Sequence, residues 1–206
     1  MLGALHALYE HYEKTFVLWT EVFRKAELAV PPVFIVVCQN TSHSKLLYDY
    51  IAGYTRTERT PDGEEREVLV RGRLPLFSNY DADGRRLARP LTLLIDSTEL
   101  DSGEALSSEF RNFARAEIDA FKTARAQRYG QSAADNITDE DLLREVMNTV
   151  GKPSQLGEQV RCVVSVSMLT EGWDTSTVTH ILGVRAFGNA APVRTGRRPR
   201  SQAPLV

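Results

Sequence analysis

A chain of 206 residues, 42% of them hydrophobic, is long enough to bury the core of one domain with peripheral helices or insertions. No apolar run approaches the roughly 20 residues that cross a bilayer, and Met1–His6 has neither the basic start nor the apolar stretch of a signal peptide, so a cytoplasmic protein with no membrane partner is expected. The 25 basic and 27 acidic residues leave a net charge of −2, yet residues 189–206 carry Arg194, Arg197, Arg198 and Arg200 and no acid; the body is more acidic still, so any nucleic-acid contact must come from a local site.

Leu5, Leu8, Tyr12, Phe16 and Trp19 recur at three- and four-residue steps, which predicts one face of a helix running to about Leu28 before Pro31 and Pro32 stop it. Val33–Cys38 is a continuous apolar, β-branched run, as expected of a strand covered on both faces in a parallel sheet. Gln39, Asn40, Thr41 and Ser42 then supply turn and N-cap chemistry for a helix over Lys45–Ile51. From about Gly53 to Arg89 the chain is charged and turn-rich, with Val68–Val70 as a short strand, and reads as a surface insertion.

Leu91–Asp96 predicts a second buried strand. Leu106, Phe110, Phe113, Ile118 and Phe121 give helical spacing to about Tyr129. A shorter helix is predicted from Thr138, whose hydroxyl and the acid three residues later form a capping arrangement. Gly151–Gly157 is a loop and Val160–Val166 a third strand, with a further apolar strand within Thr177–Arg185. Strands alternating with helices predict an α/β domain with a mostly parallel sheet and an N-terminal helix. Cys38 and Cys162 lie inside strand-like runs, where apolar packing is the expected role rather than metal binding or a disulfide.

Ligands of open parallel sheets gather beyond the carboxyl ends of the strands. Two loops fit that position. In Gln39–Ser42, free N–H groups and hydroxyls suit a phosphate, against the plainer reading of helix capping. In Ser167–Asp174, Gly172 allows close backbone approach, Ser167 and Thr170 offer hydroxyl donors, and Asp174 can accept from a ribose or orient a cation; the plainer reading is a turn with a packed tryptophan. Asp139–Leu142 has an acidic-box appearance but follows no buried strand, and no G-x-x-x-x-G-K-[ST] phosphate loop occurs in the chain. His6, His11, His43 and His180 show no metal-ligand spacing, so structural roles are expected.

The segment Ser167–Asp174, followed by Thr177–Gly183 and Arg185–Gly188, resembles helicase motif V and the next strand in the restriction subunits of Type III restriction enzymes, themselves similar to superfamily-two DEAD/DEAH-type helicases. Pro31–Ile51 resembles the motif IV strand and helix, and Asp141–Val150 is also similar; the likeness spans Leu2–Gly188. It implies a second RecA-like lobe over 31–188, a connecting helix over 1–30, and a tail over 189–206 that is disordered and out of frame. It further implies that Asn40, Thr41, Ser167 and Thr170 lie towards the DNA backbone and Gly172 and Asp174 towards the nucleotide. ATP and Mg²⁺ would serve the complete enzyme, with duplex DNA, a first helicase lobe and a modification (methyltransferase) subunit as partners. The other readings are a non-catalytic nucleic-acid-binding module and a non-functional gene remnant.

After Gly188 the family continues with Q-x-x-G-R-x-x-R, absent here. A permissible codon choice for Asn189–Pro204, read one nucleotide later, gives T-Q-L-L-C-E-Q-V-V-G-R-A-L-R-R, so a frameshift near Asn189 is expected. An arginine acting in phosphoryl transfer contributes about 10³–10⁵ in rate, and without it or a phosphate loop the chain alone is expected not to hydrolyse ATP.

Overall fold

A computed structural model describes residues 2–23, 31–95, 111–112, 114–152, 154–166 and 178–184. Helix α1 spans Leu2–Leu18, strand β1 Val33–Cys38, helix α2 Thr41–Ala52, strands β2 and β3 Gly53–Arg59 and Glu65–Arg71, and strand β4 Thr92–Ile95. Helices α3 (Arg115–Tyr129), α4 (Gln131–Asp135) and α5 (Asp139–Asn148) follow, then strands β5 (Cys162–Val166) and β6 (Val178–Val184). The chain is an α/β protein whose four-stranded sheet has the order β4-β5-β1-β6, with all three pairings parallel.

Alternation along the strands divides the core in two. Val33, Ile35, Leu93, Ile95 and Val163 face Ile118 of α3 and Leu142, Leu143 and Val146 of α5. Phe34, Val36, Cys38, Leu94, Cys162 and Val164 face Leu5, Tyr9 and Tyr12 of α1 and Leu47 and Ile51 of α2. Helices therefore cover both faces, the condition under which continuous apolar strands are stable. Among the described residues no helix is long and apolar enough to cross a membrane.

Helix α1 gives way at Trp19 to a π-helical turn through Phe23, and the expected continuation to Leu28 lies outside the described residues. Thr15 and Thr20 donate their hydroxyls to the carbonyls of His11 and Phe16, and such back-bonding competes with the helical ladder around the bulky Phe16–Thr20 run. The segment read as a surface insertion divides. The β2–β3 ribbon is largely exposed, its strands paired antiparallel from Gly53↔Arg71 to Arg59↔Glu65. Beyond it Leu74 and Phe77 are fully buried. The Pro75–Phe77 turn folds under α1, where the Leu76 N–H donates to Tyr9 Oη and the Phe77 ring lies 4.6 Å from Tyr12 and 5.4 Å from Phe34.

Helix α5 starts as its sequence predicts. The Thr138 hydroxyl accepts the Asp141 N–H and the Asp141 carboxylate accepts the Thr138 N–H, a reciprocal cap. Its end is closed by the 149–157 loop, where the Gly157 N–H donates to Thr149 Oγ1 and the Gly151 N–H to the Gly157 carbonyl. A side chain at Gly157 would run into the Val146 carbonyl, so glycine is required there.

Candidate functional site at the carboxyl edge of the sheet

Strand register fixes which loops meet. Cys38, the last residue of β1, is Cα-paired with Val166 of β5 on one side and Val184 of β6 on the other. Ile95, the end of β4, pairs with Ser165. Cys38, Ile95, Val166 and Val184, the last described residues of the four strands, thus lie nearly level, and the chain leaves β1 at Gln39 beside Val166 of β5.

Asn40 is exposed and extended (φ −150°, ψ 162°), the geometry of an N-cap. Its Oδ1 accepts the His43 N–H at 2.9 Å and faces His43 Nδ1 at 2.8 Å, which makes His43 the Nδ1–H tautomer. The Asn40 carbonyl accepts the Ser44 N–H, and the Ser44 hydroxyl donates to the Thr41 carbonyl. Helix capping therefore occupies the acceptor end of Asn40. The amide of Asn40, the Thr41 hydroxyl and the first N–H groups of α2 are the donors that capping does not use.

Residues 39–44 contain no charged side chain. Cys38 is 1% exposed and burial pushes its thiol up to about 11, so it is no thiolate nucleophile at neutral pH. A donor-rich helix start of this kind suits an oxyanion, with the His43 imidazole as the only ionisable side chain of the segment. Among the described residues no group of three or more His, Cys, Asp or Glu could hold a metal ion.

Asn40 and Thr41 stand side by side at this edge. Ser167, Thr170, Gly172 and Asp174 lie outside the described residues, as do Asp96 and the 189–206 tail. Ser165 was not expected here: it is fully buried in β5 and its hydroxyl has no hydrogen-bond partner. Only the alternation Val163, Ser165 against Cys162, Val164 signals in the sequence that this hydroxyl points to the α3 and α5 face.

Comparison with protein families, curated proteins and solved structures found no match. The functional reading therefore rests on the edge geometry and on the resemblance of the loops.

Proposed function

We propose that this chain is the second RecA-like lobe of an ATP-dependent DNA translocase of the kind found in Type III restriction subunits. The observation that supports this reading best is the Cys38↔Val166 pairing, because it brings the β1 loop carrying Asn40 and Thr41 beside the strand that leads into Ser167–Asp174. The loop after β1 and the residue that precedes Ser167, 126 positions beyond Asn40, thereby share one sheet edge. In this reading Asn40, Thr41, Ser167 and Thr170 donate to phosphates of duplex DNA, while Gly172 and Asp174 approach the nucleotide from this lobe's side. A first lobe supplies the phosphate loop that the sequence lacks, ATP with Mg²⁺ binds between the lobes, and a modification subunit supplies the DNA recognition site. The setting is cytoplasmic.

Two measurements on the purified chain test this. Duplex DNA binding followed by fluorescence anisotropy should weaken steeply with added salt, as phosphate contacts require, and ATP turnover should stay at background with or without DNA. Absence of duplex binding at low salt, or robust turnover by the chain alone, overturns the proposal.

A further inference from the structure

His11 of α1 and His180 of β6 meet ring to ring across the sheet face, with His11 Nδ1 2.8 Å from His180 Nε2. At that distance one nitrogen must carry the proton and the other must accept it. The rest of the network fixes which. His180 Nδ1 lies 2.7 Å from Thr179 Oγ1, and that hydroxyl donates to the Val33 carbonyl at 3.3 Å. A carbonyl only accepts, so the chain of donors runs outward to inward: His11 Nδ1–H to His180 Nε2, His180 Nδ1–H to Thr179 Oγ1, Thr179 O–H to Val33 O. His11 is then left with a free lone pair on Nε2, on a residue that is exposed.

The His180 ring has no freedom to turn away. It is 6% exposed, stacks on Phe34 at 5.8 Å with the planes within 5°, and is met edge-on by Tyr12 at 5.5 Å. These contacts join α1, β1 and β6. Among the described residues β6 pairs only with β1, so the imidazole contact is a second tie between β6 and the body of the fold.

Protonation acts on this tie in two steps. One added proton breaks nothing, because one of the two facing nitrogens can still donate while the other accepts. A second leaves neither able to accept, and two N–H groups would then face each other at hydrogen-bond distance, each on a cation. We propose that His11 and His180 form an acid-sensitive latch holding α1 against β6, closed while the pair carries at most one proton and opened by the second.

The charged groups nearest the pair on α1, Glu10 and Lys14, are of opposite sign and offset one another, so the facing N–H groups and burial decide the opening. From α1, Lys14 stands one turn from His11 and adds positive charge, and the Tyr12 hydroxyl is tied to the Pro32 carbonyl. Glu10 is exposed beside His11, and β1 offers the Phe34 ring and the Val33 carbonyl. Burial, then the neighbouring His11 charge, hold His180 below the ordinary histidine value of 6.5. A histidine so depressed contributes stability above that value and loses it as the pH falls through its folded-state value.

Amide hydrogen exchange separates the latch from general acid destabilisation. Between about pH 7.5 and pH 5, the histidine range, protection of α1 amides, corrected for intrinsic exchange, should drop about tenfold relative to that of α5 amides. In His11→Gln a side-chain N–H still faces His180, and the amide can rotate to accept once His180 is protonated, so the ratio should hold constant. His180→Phe, which keeps the ring on Phe34, should also hold it constant and serves if the first variant folds poorly. A constant ratio in the native chain, or an equal drop in a folded variant, overturns the proposal.

Discussion

The Asn79 side chain pairs with the backbone of Thr92 in both directions: Nδ2 donates to the Thr92 carbonyl and Oδ1 accepts the Thr92 N–H, each at 2.9 Å. The same oxygen accepts the Leu91 N–H and the same nitrogen donates to Tyr48 Oη. One primary amide thus acts as a peptide unit at the start of β4, which lies at an edge of the sheet. Asn79 is 2% exposed, so Asn79→Ala strands buried donors and acceptors. The expected loss is about 3 kcal/mol, measured as a fall in the urea midpoint. A loss below about 1 kcal/mol would mean that water takes the amide's place.

Phe77 belongs to the core even though it lies within the charged, turn-rich segment from about Gly53 to Arg89. Phe77→Ala should cost about 3–5 kcal/mol, since it removes a ring shared by Tyr9, Tyr12 and Phe34. Thr57→Ala, on the exposed β2 strand, should stay within about 0.5 kcal/mol. Equal effects in thermal or urea unfolding would contradict this division of the segment.

Both thiols should be silent in the native state. Burial pushes Cys162 far above the usual thiol range, with Thr92 pulling weakly the other way, and Cys38 up to about 11. Iodoacetamide at neutral pH should modify both only at the rate of opening or unfolding, followed by mass spectrometry with and without urea. Fast labelling under native conditions would place a thiol at the surface.

At the start of α5, burial works to raise the Asp141 value, but the Thr138 N–H and hydroxyl and the Arg125 guanidinium outweigh it and hold the carboxyl below its ordinary 3.8. A depressed carboxylate contributes stability above that value and loses it as pH falls through the folded-state value. Thr138→Ala should cost about 1 kcal/mol near neutrality. The gap from the native chain should shrink on acidification below pH 3.8, the range in which Asp141 takes up a proton. A gap independent of pH would show that the carboxylate takes no part in the cap.

If the proposed helicase reading holds, the nucleotide sequence encoding Asn189–Pro204, read one nucleotide later, should encode Q-x-x-G-R-x-x-R. Any other shifted product removes the frameshift from the account of the tail.

Strands β1, β4 and β5 are legible in the sequence because each is a largely apolar run buried on both faces, and Val33–Cys38 coincides with β1; the edge strand β6 is apolar but half exposed. The α5 cap is legible because its chemistry is local to Thr138 and Asp141. The β2–β3 ribbon is only partly so. Its residues meet solvent on most sides, which leaves no apolar alternation to mark two strands. Asn79 reads as a turn residue until Thr92 is placed opposite it, and His11 and His180 are 169 positions apart. At the candidate site, the capping by Asn40 follows from adjacent residues, whereas its neighbourhood with β5 depends on a pairing that only the folded sheet supplies.

The sheet order also dictates a timetable. β1 is the central strand, and both of its neighbours, β5 and β6, come from the final quarter of the sequence. A ribosome adding ~5–20 residues per second delivers those partners on the order of ten seconds after Val33–Cys38 has emerged. Until then that stretch has two open edges, with α1, α2 and the Phe77 turn against one face and, once made, α3 and α5 against the other. Translation speed over the middle of the message therefore sets how long the two open edges of β1 wait for their partners, the interval in which an extended apolar segment is most prone to pair wrongly.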